Sequence, residues 1–329
     1  MEELKETTSM ANAVTIKNSD VDKVIEFKNV CKSFKGRQVL KNITLTVNKG
    51  DIYGFVGENG AGKSTAMRVL AGVINIDSGE YFINGVSSKS KGIYNARKSI
   101  GAIIEAPVLF KSLSAEENLS MNLILAGKTP DKEKIKNVLT AVGLGNEIGT
   151  KKKTGNFSLG MRQRLGIAMA FVNDVDILIL DEPINGLDPK GIVEIRNLIE
   201  ELHNKGVTIF ISSHILSELS LIATRYGFIS HGRLVKEISK EDLDLSLAHK
   251  TIIKTENNEY TKSLLDGIVS KIEIKEDGIY LMGEYDINEV LKTLVNNNVQ
   301  ILNITTQTPS VEEYYMNVIK GAEENERSN

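Results

Sequence analysis

The sequence predicts an α/β fold in which helices cover a mostly parallel sheet, followed by a smaller α+β unit. Up to about Lys240, short apolar runs alternate with stretches of helical periodicity, which is typical of sheets with helical crossovers. The runs at 177–180 and 207–211 are almost entirely apolar and rich in β-branched residues, as central parallel strands are. After Lys240 the order becomes strand, helix, strand, strand, helix, strand, which favours a small βαββαβ unit.

The elements before Lys240 follow from local patterns. Residues 114–117 have the spacing of a capping box, so a helix begins there and runs through Leu125. Pro130 fits the first turn of a further helix, which Gly143 and Gly145 end. Strands are predicted at 24–27, 43–47, 52–56, 79–85, 100–104, 177–180 and 207–211.

The C-terminal part contains a strong hairpin signal, because Asp277 and Gly278 separate two alternating runs. Strands are predicted there at 251–255, 271–275, 279–282 and 300–304, and helices at 258–269, 287–296 and 310–319. The predicted organisation is a polar N-terminal extension at 1–22, a first domain at 23–238, a second domain at 250–320 and a polar tail at 321–329.

Composition excludes several classes of protein. The net charge of −3 provides no bulk basic field for a nucleic acid, and the single cysteine, Cys31, excludes an internal disulfide framework. No apolar segment approaches the ~18 residues that a membrane-spanning helix needs. The N-terminal residues lack the apolar core of a signal peptide. We therefore expect a cytoplasmic protein whose membrane role, if it has one, comes through a partner.

A glycine-rich loop between strand 52–56 and a following helix fits the P-loop pattern G-x-x-x-x-G-K-[ST]. Its glycines let the backbone wrap closely around a polyphosphate, and its N–H groups face the phosphates. Lys63 is expected to reach the β and γ oxygens, and the Ser64 hydroxyl to bind Mg²⁺. The predicted nucleotide-binding residues of this loop are Gly57, Glu58, Asn59, Gly60, Ala61, Gly62, Lys63, Ser64 and Thr65.

Two acidic residues follow the apolar strand at 177–180. Asp181 ends this strand in the Walker B arrangement, which directs its carboxylate toward Mg²⁺. Glu182 is then placed to act as a general base on the attacking water. The alternative is a strand that simply ends in two solvated carboxylates.

The stretch at 157–164 carries the resemblance to a known family. It resembles the signature of ABC-transporter ATPases, usually written LSGGQ, in an S-x-G-x-x-Q-R form; Phe157 and Met161 depart from that pattern. The resemblance implies a P-loop NTPase fold with a helical subdomain, and it implies that Ser158 and Gly160 contact the γ-phosphate held by the opposite subunit. The alternative is an ordinary N-cap on a core helix.

Three further residues match functional positions of the family. Asp188, in the sequence Asn-Gly-Leu-Asp-Pro, resembles the D-loop that crosses the dimer interface, and it is also suited to cap the next helix. His214 follows an apolar strand and matches the switch histidine that contacts the γ-phosphate and the catalytic carboxylate. Phe34 matches the aromatic residue that stacks on adenine; its alternative is a core or edge-strand phenylalanine.

Glu105 departs from the general pattern of the family. It occupies the Q-loop position, where a glutamine normally binds Mg²⁺ and senses the membrane partner. A carboxylate is a harder ligand for Mg²⁺, and it adds negative charge beside the phosphates. This variant resembles the ATPases of bacitracin and lantibiotic resistance or immunity exporters. The alternative is a solvated loop residue in a generic exporter ATPase.

Taken together, the resemblance implies a subunit that binds and hydrolyses ATP with Mg²⁺. It implies a homodimer, or a pseudo-symmetric dimer, that drives a separate integral membrane permease from the inner face of the membrane, with no nucleic-acid partner. Two alternatives stay open. One is an ABC ATPase for export of a drug or lipid, and the other is a soluble ABC ATPase without a transport role.

Overall fold

A computed structural model of the chain describes residues 22–247, 250–283, 285–307 and 309–327. Nearly all of the predicted N-terminal extension, 1–22, lies outside these residues. The strands are β1 Lys23–Phe34, β2 Arg37–Asn48, β3 Ile52–Val56, β4 Ser78–Ile83, β5 Val86–Ser87, β6 Ile100–Ile103, β7 Ile177–Asp181, β8 Thr208–Ser213, β9 Arg225–Ser230, β10 Arg233–Ser239, β11 Lys250–Thr255, β12 Lys271–Lys275, β13 Gly278–Met282 and β14 Ile301–Gln307. The helices are α1 Lys63–Leu70, α2 Ile93–Ala96, α3 Ala115–Leu125, α4 Lys132–Ala141, α5 Leu159–Phe171, α6 Pro189–Asn204, α7 Leu216–Leu219, α8 Lys240–Ser246, α9 Asn258–Leu265, α10 Ile287–Asn296 and α11 Val311–Arg327.

The central sheet has the strand order β10-β9-β3-β8-β7-β6. All neighbouring strands in it are parallel except β10, which pairs antiparallel with β9 at one edge. Every residue of β3, β7 and β8 is buried, as expected for parallel strands covered on both faces. Val56 pairs with Ser213, and Asp181 pairs with Ser212. The carboxyl ends of β3, β7 and β8 therefore meet at one edge of the sheet.

A second, antiparallel sheet has the order β2-β1-β4-β5. Its inner face packs on the central sheet and on α1, where Phe27, Leu45, Phe55 and Met67 share one buried cluster. Helix α1 is thus held on its apolar side between two sheets. Because α1 begins directly after the glycine-rich loop, this packing fixes the loop at its C-terminal end.

The helical part contains α3, α4 and α5. The predicted capping box at Ser114 is confirmed, and α3 ends at Leu125 as predicted. The prediction that Pro130 lies in the first turn of the next helix is wrong, because α4 begins at Lys132. The Asp131 carboxylate caps this helix by accepting from the N–H groups of two later residues. Gly143, with a φ of 68°, follows the end of α4 as predicted. Because the chain has already turned there, the helix does not extend to residue 145, which begins a separate 3₁₀ turn.

The third sheet, with the order β12-β13-β11-β14, contains the elements predicted after Lys240 in the predicted order. Helices α9 and α10 contribute Leu265, Val290 and Leu294 to a cluster with Ile253 of β11. The prediction of a helix over 258–269 is too long, since α9 ends at Leu265 and the chain then turns with residue 267 at a φ of 91°. The division of the chain into two folding units remains a proposal.

The last helix differs from its prediction. The sequence pattern predicts a helix at 310–319 and a polar tail at 321–329, but α11 continues to Arg327. The residues after Gly321 include alanine, glutamate and arginine, which have high helix propensity, so one glycine does not end the helix. None of the helices in the described part of the chain has the length and apolar character needed to cross a membrane.

Replacing Gly101 by alanine is expected to destabilise the protein. A Cβ at Gly101 of β6 would lie 2.2 Å from the carbonyl oxygen of Ala170 in α5, so strand and helix must move apart. Overpacking of this kind costs about 1–3 kcal/mol. Thermal unfolding followed by circular dichroism should show a lower midpoint for Gly101→Ala. Gly145→Ala is the control, because its Cβ would meet nothing closer than 3.7 Å; equal midpoints for the two variants would contradict the prediction.

Candidate functional site

The loop between β3 and α1 is shaped by its glycines. Gly60 and Gly62 have φ angles of 83° and 114°, a region that residues with side chains rarely adopt. A Cβ at Gly57 would lie 2.3 Å from the carbonyl oxygen of Ile229, so only glycine fits there. The N–H groups of such a loop and of the helix that follows favour anions. The loop is therefore suited to hold a polyphosphate.

Burial increases along this loop from its tip to the helix. The tip is exposed, Ser64 is half-buried, and the neighbouring positions are covered by the two sheets. The exposed residues are Glu58, Asn59 and Gly60, and the buried ones are Gly57, Ala61, Gly62, Lys63 and Thr65. A ligand can thus reach the tip and the Ser64 hydroxyl from solvent, while the loop is anchored at both ends.

The buried Lys63 ammonium is held by its own loop. Nζ donates to the carbonyl oxygens of Gly57 at 2.6 Å and Glu58 at 3.2 Å, and it lies 3.3 Å from Glu182 Oε1. A buried ammonium needs such partners, because desolvation of an unpaired charge is costly. In a complex with a polyphosphate, phosphate oxygens would accept from the ammonium N–H groups that these carbonyls occupy here.

Asp181 and Glu182 are tied together through Ser212. The Ser212 hydroxyl donates to Asp181 Oδ1 at 2.6 Å and accepts from the Glu182 backbone N–H at 3.0 Å. This hydroxyl orients the buried Asp181 carboxylate and the peptide that follows it. Ser212 was not predicted from the sequence, although it stands two residues before His214 at the end of an apolar strand.

Glu182 lies between the P-loop lysine and the histidine. Its backbone has a φ of 49°, which is uncommon for a residue with a side chain and is often found at functional sites. Oε2 is 2.6 Å from His214 Nδ1. Oε1 is buried and faces the Lys63 ammonium without a properly directed hydrogen bond. The structure thus brings Lys63, Asp181, Glu182 and His214 together at the edge where β3, β7 and β8 end.

Glu105 lies beside α1. Its side chain is 69% exposed, and its carboxylate pairs with the Arg68 guanidinium of α1. Like Glu182, it has a positive φ, here 69°. Glu105 is thus linked to the helix that follows the P-loop. Arg68 was not identified from the sequence, where a basic residue on a helix carries no distinctive signal.

Phe34 ends β1 and is 43% exposed. The Lys32 ammonium lies 5.4 Å from the centre of its ring. A core position for Phe34 is therefore wrong, because the residue is partly open to solvent. Its role in stacking on adenine stays a prediction.

Ser158, Gly160 and Asp188 lie at the N-termini of two helices. Ser158 caps α5 by accepting from the Met161 N–H at 3.2 Å, and Asp188 caps α6 by accepting from the Gly191 N–H at 3.0 Å. The cap predicted at Asp188 is confirmed, and Ser158 makes the N-cap that was its alternative, so its role at the γ-phosphate stays a prediction. A Cβ at Gly160 would meet only Leu187, at 3.8 Å, so the two helix ends are neighbours. Ser158 is exposed there, and its hydroxyl is directed to its own helix rather than to the P-loop.

The residues present fit a nucleotide with its metal better than a metal alone. Within 22–247, 250–283, 285–307 and 309–327, no group of three or more His, Cys, Asp or Glu is arranged to hold a metal. Mg²⁺ usually keeps several waters and binds through one or two protein ligands together with substrate phosphates. The buried Asp181 carboxylate, oriented by Ser212, and the half-buried Ser64 at the start of α1 fit that requirement.

Comparisons with known proteins agree with this geometry. A family model described as ABC transporter matches residues 40–185. The chain is 38% identical to the bacitracin transport ATP-binding protein BcrA of Bacillus licheniformis, over 91% of this chain and 98% of that protein. It is 42% identical to the lantibiotic transport ATP-binding protein SrtF of Streptococcus pyogenes, over 65% of this chain and 90% of that protein.

Solved structures show the same fold. An ATP-binding subunit of an ABC transporter matches with a TM-score of 0.60 at 28% identity, covering 68% of this chain and 92% of that one. A dimeric ATP-binding cassette in a post-hydrolysis state, bound to ADP and phosphate, matches with a TM-score of 0.59 at 25% identity, covering 66% of this chain and 98% of that one. The chain therefore belongs to the family of ABC transporter ATP-binding proteins, and it is an ATPase with the P-loop NTPase fold.

Proposed function

We propose that this chain is the ATPase subunit of an exporter that protects a cell against peptide antibiotics such as bacitracin or lantibiotics, and that it drives a separate permease. The observation that carries the ATPase part is the cluster of Lys63, Glu182 and His214 beside the glycine-rich loop. The peptide-antibiotic part is supported by the similarity to BcrA, which extends over 98% of that protein.

In this proposal the P-loop amides and Lys63 bind the phosphates of ATP. Lys63 exchanges its two carbonyl partners for phosphate oxygens. Ser64 and Asp181 hold Mg²⁺, which neutralises charge on the β and γ phosphates when bound. Ser212 keeps the Asp181 carboxylate in one orientation. The half-exposed ring of Phe34 offers a stacking surface for adenine.

Glu182 is the proposed general base. Its carboxylate is oriented by His214, whose Nδ1 lies within hydrogen-bond distance of Oε2. That contact leaves the other ring nitrogen of His214 available to the γ-phosphate. Oε1, which faces the Lys63 ammonium without a directed hydrogen bond, becomes available to accept a proton from a bound water when Lys63 moves to the phosphates.

Two copies are proposed to complete each site. Ser158, Gly160 and Asp188 lie at exposed or half-exposed helix ends, so they can face the nucleotide of another copy. The caps that Ser158 and Asp188 make are satisfied within their own helices. The N-terminus of α5 favours an anion there. The similar cassette solved as a dimer with ADP and phosphate supports this arrangement.

The permease is proposed to dock beside Glu105. A cleft of about 590 Å³ follows Glu105 and is lined by β6, by Pro107 of the loop after β6, and by residues of α3 and α5 such as Asn122 and Met169. Val108 is 89% exposed at its rim, and Leu125 at the end of α3 is also exposed. Exposed apolar side chains around a cleft are typical of a docking site for a partner. The protein would then lie at the cytoplasmic face of the membrane, bound peripherally.

Glu182→Gln is expected to lower the ATPase rate by about 10²–10⁴-fold, because an amide cannot take the proton from water. ATP should still bind, so the variant is expected to form a stable ATP-bound dimer in size-exclusion chromatography. Glu147→Gln is the matched control, since Glu147 is similarly buried, at 14% against 18% exposed, and pairs with Lys152 in the helical part. Wild-type hydrolysis by Glu182→Gln would refute the assignment of the base.

Glu105→Gln is expected to raise the Mg²⁺ concentration that gives half-maximal ATPase activity, since it removes a negative charge beside the phosphates. It is also expected to change the stimulation of ATPase activity by the permease. Arg68→Met is the companion variant, because it frees Glu105 from its ion pair and leaves the carboxylate in place. If Glu105→Gln alters neither the Mg²⁺ dependence nor the coupling, Glu105 is an ordinary loop residue.

The substrate is tested by antibiotic susceptibility. The chain and its permease, expressed in a sensitive bacterial host, should raise the inhibitory concentration of bacitracin or of a lantibiotic. The same pair with Glu182→Gln should give no protection. Unchanged susceptibility, with both proteins present in the membrane fraction, would assign the exporter to another cargo. Linearmycin would then be tried, because a linearmycin resistance ATP-binding protein of Bacillus subtilis is 28% identical to this chain.

A further inference from the structure

The C-terminal helix α11 returns to the first part of the chain and packs into its core. Tyr315 is 6% exposed and belongs to the same buried cluster as Leu216 and Phe228. The ring centres of Tyr315 and Phe228 are 5.6 Å apart. Phe228 of β9 pairs with Val56, the last residue before the P-loop. The Tyr315 ring is therefore placed at the point where the P-loop begins.

The Tyr315 hydroxyl is buried and makes no hydrogen bond to any described residue. Such a group is unfavourable, so a partner is expected in some state of the protein. Burial raises the pKa of Tyr315, the Glu58 carboxylate raises it further, and the Glu58 backbone N–H lowers it. The packing of Tyr315 on Phe228, which pairs with Val56, places the ring close to this peptide, but the Glu58 N–H does not reach hydrogen-bonding geometry with the hydroxyl in this conformation.

The peptide group that faces Tyr315 is also the one that Lys63 holds. The Glu58 N–H and the Gly57 carbonyl belong to a single peptide unit, and the Lys63 ammonium donates to that carbonyl at 2.6 Å. When Lys63 transfers to phosphate oxygens, this peptide unit loses its partner on one side. It is then able to shift toward the hydroxyl on the other side.

Two hydrogen bonds join the start of α11 to the first part of the chain. Glu312 Oε1 accepts from the Ser217 backbone N–H at 3.0 Å, and Lys236 Nζ donates to the Tyr314 hydroxyl at 2.7 Å. Ser217 lies in α7, three residues after His214. Both contacts lie just before Tyr315 in the helix, and the one from Glu312 joins α11 to α7, the helix that follows His214.

We propose that Tyr315 is a positioning residue of the P-loop, whose hydroxyl accepts a hydrogen bond from the Glu58 N–H when ATP is bound. This inference rests on the proposed ATP site. The C-terminal helix then contributes to nucleotide affinity, because the hydrogen bond between Glu58 and Tyr315 forms only after Lys63 has moved to the phosphates. A residue outside the ATPase motifs then stabilises the ATP-bound loop.

The test is Tyr315→Phe in the full chain carrying Glu182→Gln, so that ATP is not hydrolysed during measurement. Phenylalanine keeps the ring against Phe228 and removes only the hydroxyl. The Kd for Mg²⁺-ATP, measured by isothermal titration calorimetry, is expected to rise about fivefold, which is the effect of one lost hydrogen bond. The nucleotide-free thermal midpoint is expected to stay or rise, because an unpaired buried hydroxyl is removed.

Tyr314→Phe on the same background is the matched control. It removes the neighbouring hydroxyl of α11, which contacts Lys236 rather than the P-loop. Its Kd for Mg²⁺-ATP should stay within about twofold of the Glu182→Gln parent, which is less than one hydrogen bond contributes. The inference is supported if Tyr315→Phe, but not Tyr314→Phe, weakens the binding of Mg²⁺-ATP without lowering the nucleotide-free thermal midpoint. Replacement of a purely structural residue would lower both the affinity and the midpoint.

The inference is overturned if Tyr315→Phe binds Mg²⁺-ATP like the parent, or if Tyr314→Phe weakens binding equally. The proposed ATP site fails in a different way. In that case the Glu182→Gln parent itself binds no Mg²⁺-ATP, or Lys63→Ala binds it as tightly as the parent.

Discussion

The parallel pairing of β3, β8 and β7 is the constraint on which the candidate site depends. Val56 stands opposite Ser213, and Asp181 opposite Ser212, so three chain segments that are far apart in sequence end at the same level. Each segment then continues into a loop that carries a functional group. A slip of one residue would turn the side chains of a strand to the other face. Because both faces of these strands are covered, such a slip would force the core on each side to repack and would move the functional loops out of line.

The charges at this edge are held by short, specific contacts rather than by exposure to water. Lys63 is buried against two carbonyl oxygens of its own loop, and Asp181 against the Ser212 hydroxyl. Glu182 contacts both Lys63 and His214 from a strained backbone position. Charges that are fixed in advance need little reorganisation when a substrate binds, which is how enzymes obtain strong electrostatic stabilisation.

Sequence patterns predicted the parts of this fold that depend on local chemistry. The capping box at Ser114 and the caps at Ser158 and Asp188 involve only neighbouring residues, and all three are present. The parts that were missed depend on partners distant in sequence. Ser212 acquires its role by pairing with Asp181, and Arg68 acquires its role by meeting Glu105. A single serine or arginine carries no signal of such a partner.

The sequence pattern did not predict the full length of α11, for a related reason. This helix also bears on how the C-terminal part of the chain contributes to function. An isolated helix with a glycine at 321 is marginal in water, so its pattern predicts an early end. Tertiary packing secures the helix before that glycine, because Tyr315 and Ile319 join the core around Phe228, and residues of high helix propensity extend it beyond the glycine. The ATPase fold is therefore not closed by its own strands and helices alone. Its core includes side chains that arrive only after β14, and this part of the chain cannot be removed without opening the core beside the P-loop.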